Sequence, residues 1–129
     1  MNKIIVEVSV GELLDKISIL EIKQGKIKDP EKLKFINNEH SILKSQLEKN
    51  IKSDKKLEKL YVSLKEINSK LWVIEDDKRK CEKDKVFGEK FIKLSRDVHF
   101  LNDDRAKIKL EINNLTGSSI KEIKEYTNY

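Results

Sequence analysis

The chain has 129 residues, of which 40% are charged and 37% hydrophobic, and its 28 basic and 23 acidic residues give a formal net charge of +5. One Pro and four Gly exclude collagen-like and turn-rich β architectures, and one cysteine excludes both an internal disulfide and a thiolate zinc site. The length fits a single domain over residues 1–129, whose scarce apolar residues are best used as narrow stripes along helices.

The β-branched segment from Lys3 to Val10 predicts a short strand or extended arm over residues 1–10. Because a lone strand has no partner in its own chain, we expect the arms of two copies to pair and form a homodimer. The alternative is a monomer in which Ile4, Val6 and Val8 dock on the chain's own helices.

Apolar residues spaced three and four apart predict helices over residues 11–28, 30–50, 54–83 and 86–115, followed by a short helix over 119–126. Ser9 and Glu12 have the capping-box spacing that begins a helix. Asp29 and Pro30 separate the first two helices, and Gly117 ends the fourth. The polar run over residues 76–85 is compatible with a turn or with an exposed helical extension. Short connections between long amphipathic helices favour an all-α fold, an antiparallel up-down four-helix bundle with coiled-coil-like packing.

Three of the apolar stripes contain a polar residue in the middle of the helix: Gln24, His40 and Arg105. At about 1.5 Å per residue, these residues lie about 20, 10 and 15 Å above one end of the bundle, in one broad layer. A buried arginine needs a carboxylate, and we expect Glu21 to be the partner of Arg105. The layer is interpreted either as a closed polar layer that fixes helix register or as a pocket for an anion. In the second case His40 is the candidate general acid or base, and the candidate ligand-binding residues are Arg105, Glu21, Gln24, His40, Asn102, Asp103, Lys16 and Lys23.

A second constellation is predicted where the third and fourth helices face each other, and it consists of Glu75, Asp76, Arg79 and Arg96. Glu75 and Arg79 are four residues apart, a spacing that favours an ion pair. The alternative interpretation of this constellation is an exposed ladder of ion pairs. The acidic pairs at residues 76–77 and 103–104 lie far apart along the predicted hairpin, so no metal site is expected.

Three segments, SVGELLDKISILEIK, LWVIEDDKR and NDDRAKIKLEIN, resemble a small all-helical family of bacteria and marine phages with no known activity. Members of that family sometimes occur beside surface-polysaccharide functions. The resemblance implies that the following polar positions belong to the family pattern: Glu12, Asp15, Lys16, Glu21, Lys23, Glu75, Asp76, Arg79, Arg96, Asn102, Asp103 and Arg105.

We therefore expect a charged inter-helix pocket that binds an anionic small molecule such as a phosphorylated sugar or a nucleotide, without a cofactor. Whether the pocket is catalytic stays open, and the alternative function is a structural or regulatory protein-interaction module. Interspersed charges are typical of a solvated surface, so nucleic acid is not an expected partner. Neither a signal-peptide pattern nor an apolar run of about 18 residues is present, so we expect a cytoplasmic protein without a membrane span.

Overall fold

The computed structural model describes residues 2–129 and contains four helices. They are α1 (Val10–Lys26), α2 (Pro30–Asn50), α3 (Lys55–Asp84) and α4 (Glu89–Thr116). The predicted all-α class and the four predicted helices are confirmed, with boundaries shifted by a few residues. No helix within residues 2–129 is long and apolar enough to cross a lipid bilayer.

The helix ends follow local capping chemistry. Ser9 Oγ accepts a hydrogen bond from the Glu12 N–H at 3.0 Å, and Asp54 Oδ1 accepts one from the Leu57 N–H at 2.8 Å. Pro30 occupies the first turn of α2, where its missing N–H costs nothing. Gly117 ends α4 with φ of 66°, a left-handed conformation in which glycine carries no Cβ penalty.

The polar run over residues 76–85, for which a turn and a helical extension were both considered, is a helical extension, because α3 continues to Asp84. Lys85 then adopts a left-handed conformation with φ of 56°, and its N–H bonds back to the carbonyl groups of Cys81 and Glu82. Residues 86–88 form the connection, so α4 begins at Glu89 rather than at residue 86.

Neither the strand nor the short helix predicted at the chain ends is formed within residues 2–129, whereas the extended arm stays a prediction. Residues 2–9 contain no strand, and Ile4 and Ile5 are 87% and 83% exposed, because nothing within residues 2–129 supplies a partner edge. Residues 119–126 contain no helix. Such a short helix needs apolar packing to form, but Ile123 is exposed and Glu122 binds a lysine on α4 instead.

The arrangement of the helices centres on α1. Within residues 2–129 the backbone of α2 lies against α1 alone, whereas α1, α3 and α4 contact one another pairwise. Leu14, Leu57, Leu64 and Ile112 form the buried apolar core between these three helices. The helices α1 and α4 approach each other closely at Gly11, where an added Cβ would lie 2.6 Å from the Lys109 carbonyl oxygen. The first and fourth helices are therefore held together closely beside the polar residues described next.

Candidate functional site

A buried carboxylate, that of Asp15, connects three helices. The Asp15 side chain is 2% exposed, and its Oδ1 accepts hydrogen bonds from Arg105 Nε at 2.9 Å and from Asn68 Nδ2 at 2.8 Å. A second guanidinium nitrogen of Arg105 donates to Oδ2. The carboxylate comes from α1, the amide from α3 and the guanidinium from α4, so this bidentate pair fixes the three helices relative to one another.

The remaining polar atoms around Asp15 are also paired. Asn68 Nδ2 donates to Ser18 Oγ at 2.8 Å, and the Ser18 hydroxyl donates to the Asp15 backbone carbonyl at 2.7 Å. No buried side-chain polar atom within residues 2–129 lacks a hydrogen-bond partner. A fully paired polar network in a low-dielectric interior is rigid, because every alternative arrangement leaves a group unpaired.

The network is ionised at neutral pH. Burial by itself raises the pKa of Asp15, but the hydrogen bonds from Arg105 and Asn68 and the charges of Arg105 and Lys109 outweigh it and hold that pKa below its usual value. The hydrogen bonds to Asp15 in turn raise the pKa of Arg105. The pair is therefore a carboxylate and a guanidinium whose charges are mutually satisfied.

Lys109 lies one turn after Arg105 on the same face of α4 and extends the network towards the end of that helix. Its Nζ donates to Glu12 Oε2 at 2.7 Å, lies 3.8 Å from Asp15 Oδ2, and donates to Glu122 Oε2 at 3.3 Å. Burial opposes the charge of this lysine, but the three carboxylates outweigh burial and raise its pKa. A cavity of about 230 Å³ lies over this group; we call it the lysine cleft, and it is lined by Glu12, Asn102, Arg105, Ala106, Lys109, Glu122 and Lys124.

A second cavity, of about 310 Å³, borders the same arginine. We call it the tryptophan cleft, and it is lined by Ile19, Ile22, Asn68, Leu71, Trp72, Glu75, Asp76, Arg79 and Arg105. The cleft combines an apolar side, an indole ring, two exposed carboxylates and an exposed guanidinium. It brings together Arg105 and three residues of the constellation that the sequence analysis treated as separate.

A different carboxylate on α1, that of Glu21, connects α1 to α2 and α3. Its Oε2 lies 2.9 Å from His40 Nε2, and its Oε1 accepts hydrogen bonds from the Tyr61 hydroxyl and from Lys65 Nζ, the latter at 3.3 Å. Burial raises the pKa of Glu21, but the contacts from Tyr61, His40 and Lys65 lower it by more, so the pKa lies below its usual value. Burial and the adjacent Glu21 carboxylate raise the pKa of Tyr61.

The predicted pairing of Arg105 with Glu21 is therefore wrong, since Asp15 is the partner of Arg105. The predicted layer of Gln24, His40 and Arg105 is not formed either. Gln24 donates to Asn37 Oδ1 at 3.0 Å, and His40 binds Glu21. The height estimate placed α2 and α4 around a common centre, whereas the backbone of α2 lies against α1 alone.

The other four candidate residues do not come together in one site. Asn102 lines the lysine cleft and accepts a hydrogen bond from Arg105 at 3.4 Å, and Asp103 accepts one from the Tyr129 hydroxyl. Lys16 is exposed and lies 3.9 Å from Glu12, and Lys23 lines neither cleft.

In the predicted second constellation, Glu75, Asp76 and Arg79 line the tryptophan cleft, but Arg96 is exposed and lines neither cleft. The predicted ion pair between Glu75 and Arg79 is not formed within 4.0 Å; Asp76 instead pairs with Lys80 at 3.3 Å. The constellation is therefore three residues of one cleft wall rather than a ladder across two helices.

Sequence reasoning missed the roles of Asp15, Asn68 and Lys109. A signal for Asp15 was present, because Asp15, Ser18 and Ile22 recur at helical spacing and share one face of α1. That face lies beside the predicted apolar stripe, which begins at Leu13, and no partner was predicted for Asp15.

Within residues 2–129 no three His, Cys, Asp or Glu side chains cluster in a way that could hold a metal ion. Comparison with curated proteins and with solved structures found no match to this chain. Residues 4–129 match a family described as a family of unknown function, DUF6165, and the chain belongs to that family.

Proposed function

We propose that this protein binds an anionic small molecule, a phosphorylated sugar or a nucleotide, in the tryptophan cleft. The observation that carries the proposal is the composition of one wall, where Trp72, Glu75, Asp76 and Arg79 lie at helical spacing on α3. A cavity of about 310 Å³ is at the lower end of the usual range for small-molecule pockets, about 300–1,000 Å³.

Each group on this wall suits one part of such a ligand. The Arg79 guanidinium presents a planar fork that matches a phosphate, and it forms no ion pair within 4.0 Å inside residues 2–129. The indole of Trp72 offers a flat apolar surface for a sugar ring or a base. The carboxylates of Glu75 and Asp76 accept hydrogen bonds from hydroxyl groups.

The buried Asp15–Arg105 pair has a different part in the proposal. The charge of Arg105 is satisfied by Asp15, so Arg79 supplies the positive charge that a phosphate would meet. Arg105 and Asn68 line the cleft and are held in place by the buried Asp15, and a rigid site binds with a smaller ordering cost.

The test is calorimetric titration of the full chain with a panel of sugar phosphates and nucleotides, preceded by thermal melts. A ligand at 100 times its Kd stabilises the folded chain by about 2.7 kcal/mol, which a melt detects. We expect Arg79→Gln to weaken binding by about tenfold or more, since a charge-assisted bidentate contact is lost. Arg96→Gln, an exposed arginine outside the cleft, is the matched control. Equal loss in both variants, or no binding across the panel, would contradict the proposal.

Catalysis by His40 is not part of this proposal. His40 Nε2 is bound to Glu21, and the residue lines neither cleft. A general acid or base must reach the reacting group directly or through one water molecule.

A second candidate function, self-association through the N-terminal segment (residues 3–8), is favoured by its exposure. Ile4, Ile5 and Val6 are all exposed, and contiguous exposed apolar residues indicate an interaction surface. Pairing with the same segment of a second copy satisfies both the backbone and the side chains. The expected result is a dimer mass by light scattering for the full chain and a monomer for Ile4→Lys/Val6→Lys. A monomeric full-length chain at micromolar concentration overturns this candidate.

Three further properties are proposed with this function. Pairing of Glu21 with His40 and of Gln24 with Asn37 supports an antiparallel order of α1 and α2. The shared core of α1, α3 and α4 supports a single domain over residues 1–129. A cytoplasmic location stays a prediction from the sequence, in which the only cysteine is Cys81.

A further inference from the structure

The last twelve residues of the chain, the C-terminal tail (residues 118–129), contain no helix or strand, yet they contact α4 at several points. The Tyr129 ring packs edge to face on Phe100 with centroids 5.4 Å apart, and its hydroxyl donates to Asp103. Nearer the start of the tail, Glu122 accepts a hydrogen bond from Lys109. The tail therefore lies beside the lysine cleft and contributes Glu122 and Lys124 to its lining.

We propose that the lysine cleft is a second anion-binding site, that the carboxylate of Glu122 occupies it in this state of the chain, and that a phosphate-bearing ligand displaces Glu122. The inference does not depend on the tryptophan cleft being a ligand site. In this proposal Glu122 of the C-terminal tail competes with the ligand for the same cations.

The ammonium group of Lys109 is already positioned to bind an anion. Its side chain is only 12% exposed, and Glu12 and Asp15 hold Nζ from the α1 side at 2.7 and 3.8 Å. The contact with Glu122 at 3.3 Å is the one that comes from outside the helices. Removing Glu122 from this contact leaves Lys109 in place and facing the cleft.

Arg105 adds donors to the same cavity. A guanidinium has five N–H groups, and in this chain they reach three acceptor atoms, two on Asp15 and one on Asn102. Two of the five N–H groups therefore have no acceptor inside residues 2–129, and Arg105 is among the residues that line the lysine cleft. Lys124 supplies a third cation, which pairs with Glu122 at 3.4 Å.

The number of acceptor oxygens favours a phosphate over the present carboxylate. Asp15 and Glu12 balance Arg105 and Lys109 within the helices. Glu122 balances the remaining cation, Lys124, with two oxygens, whereas a phosphate offers at least three acceptor oxygens to the same donors. Glu122 is half exposed, and an ion pair of that exposure contributes little, so a ligand competes with it readily.

The experiment is calorimetric titration of pyrophosphate into the full chain, into Glu122→Gln and into Glu125→Gln. The second variant is a matched control, because Glu125 is an exposed tail carboxylate that does not line the lysine cleft. We expect Glu122→Gln to bind pyrophosphate about fivefold tighter or more, the lower end of measured couplings between linked contacts. Glu125→Gln should change the affinity by less than about twofold, the effect of net charge alone.

Two further variants separate this site from the tryptophan cleft. Adding Arg79→Gln to Glu122→Gln should leave the gain in pyrophosphate affinity intact, and adding Lys109→Gln should remove it. A gain that is equal in Glu122→Gln and Glu125→Gln overturns the proposal, and so does a gain that Arg79→Gln abolishes. Since neither glutamate is in the core, the first comparison does not depend on the folding of a core variant.

Discussion

Two carboxylates on α1, Asp15 and Glu21, each connect that helix to two others, but their surroundings differ. The Asp15 side chain is 2% exposed and meets a guanidinium and an amide. The Glu21 side chain is 22% exposed and meets a phenol, an imidazole and an amine. Both pKa values lie below their usual ranges, because donors and positive charges outweigh burial in each case.

The difference shows how burial selects the partner of a charge. A carboxylate without contact to water needs a full opposite charge and paired oxygens, because an uncompensated interior charge is very costly. A partly exposed carboxylate retains some hydration, so one partly exposed lysine, Lys65, and neutral donors such as Tyr61 are sufficient beside it. We expect the Asp15 region to be intolerant of substitution and the Glu21 region to be adjustable.

The largest effect is expected from Arg105→Ala, which leaves the buried Asp15 carboxylate without its guanidinium partner. The free energy of unfolding should fall by about 3–5 kcal/mol, the usual result of breaking a buried ion pair, with Lys109 moderating the loss. Urea denaturation at pH 7 measures it. Arg96→Ala, an exposed arginine on the same helix, should change stability by less than about 0.5 kcal/mol. Similar values for the two variants would show that Asp15 does not depend on Arg105.

Substitution of the two glycines of α1 should give effects of opposite sign. In Gly11→Ala the new Cβ meets the Lys109 carbonyl oxygen at 2.6 Å, so α1 and α4 must separate, and we expect a loss of about 1–3 kcal/mol. Gly25 has no atom within 4 Å of a new Cβ, and Gly25→Ala should stabilise the helix by about 0.5–1 kcal/mol. Thermal and urea denaturation of both variants test the pair. Stabilisation by Gly11→Ala would contradict the close approach beside Asp15.

The smallest effect is expected from Glu21→Gln, which removes one charge but keeps the size of the side chain. At pH 7 the loss should be about 1 kcal/mol, because the partners are partly exposed and remain solvated. The pKa of Glu21 is lower in the folded than in the unfolded chain, so its stabilisation is present above about pH 4.3 and is lost as pH falls through the folded value. Between pH 7 and pH 3 wild type should therefore lose more stability than Glu21→Gln. Parallel pH curves for the two proteins would contradict the lowered pKa.

The helices were predictable because their signals are local. The capping side chains of Ser9 and Asp54 and the left-handed Gly117 lie close to where the spacing of apolar residues places the helix ends. Which helices lie next to one another was harder to predict. An amphipathic stripe shows which face is buried but not which helix covers it, so the central position of α1 could not be derived from the stripes.

An ion pair between Arg105 and a carboxylate could be predicted from the sequence, but the identity of that carboxylate could not. A mid-helix arginine in an apolar stripe correctly indicated a buried pair with a carboxylate from α1. Asp15 and Glu21 are six residues apart, about 9 Å along a helix, which is within the error of counting heights from a shared end. The joint lining of one cleft by Arg105 and Arg79 depends on how α3 and α4 pack, which sequence spacing does not specify.

The attachment of α2 has a consequence for motion. This helix contains no buried residue and its backbone lies against α1 alone. Its detachment would remove the contact of Leu47 with the core, but none of the four buried core residues lies on α2. Regions with few buried contacts open locally at a lower free energy than the whole chain. Amide hydrogens of residues 31–50 in α2 should therefore exchange with solvent well before those of α3, through an opening that exposes Glu21 while Asp15 stays protected.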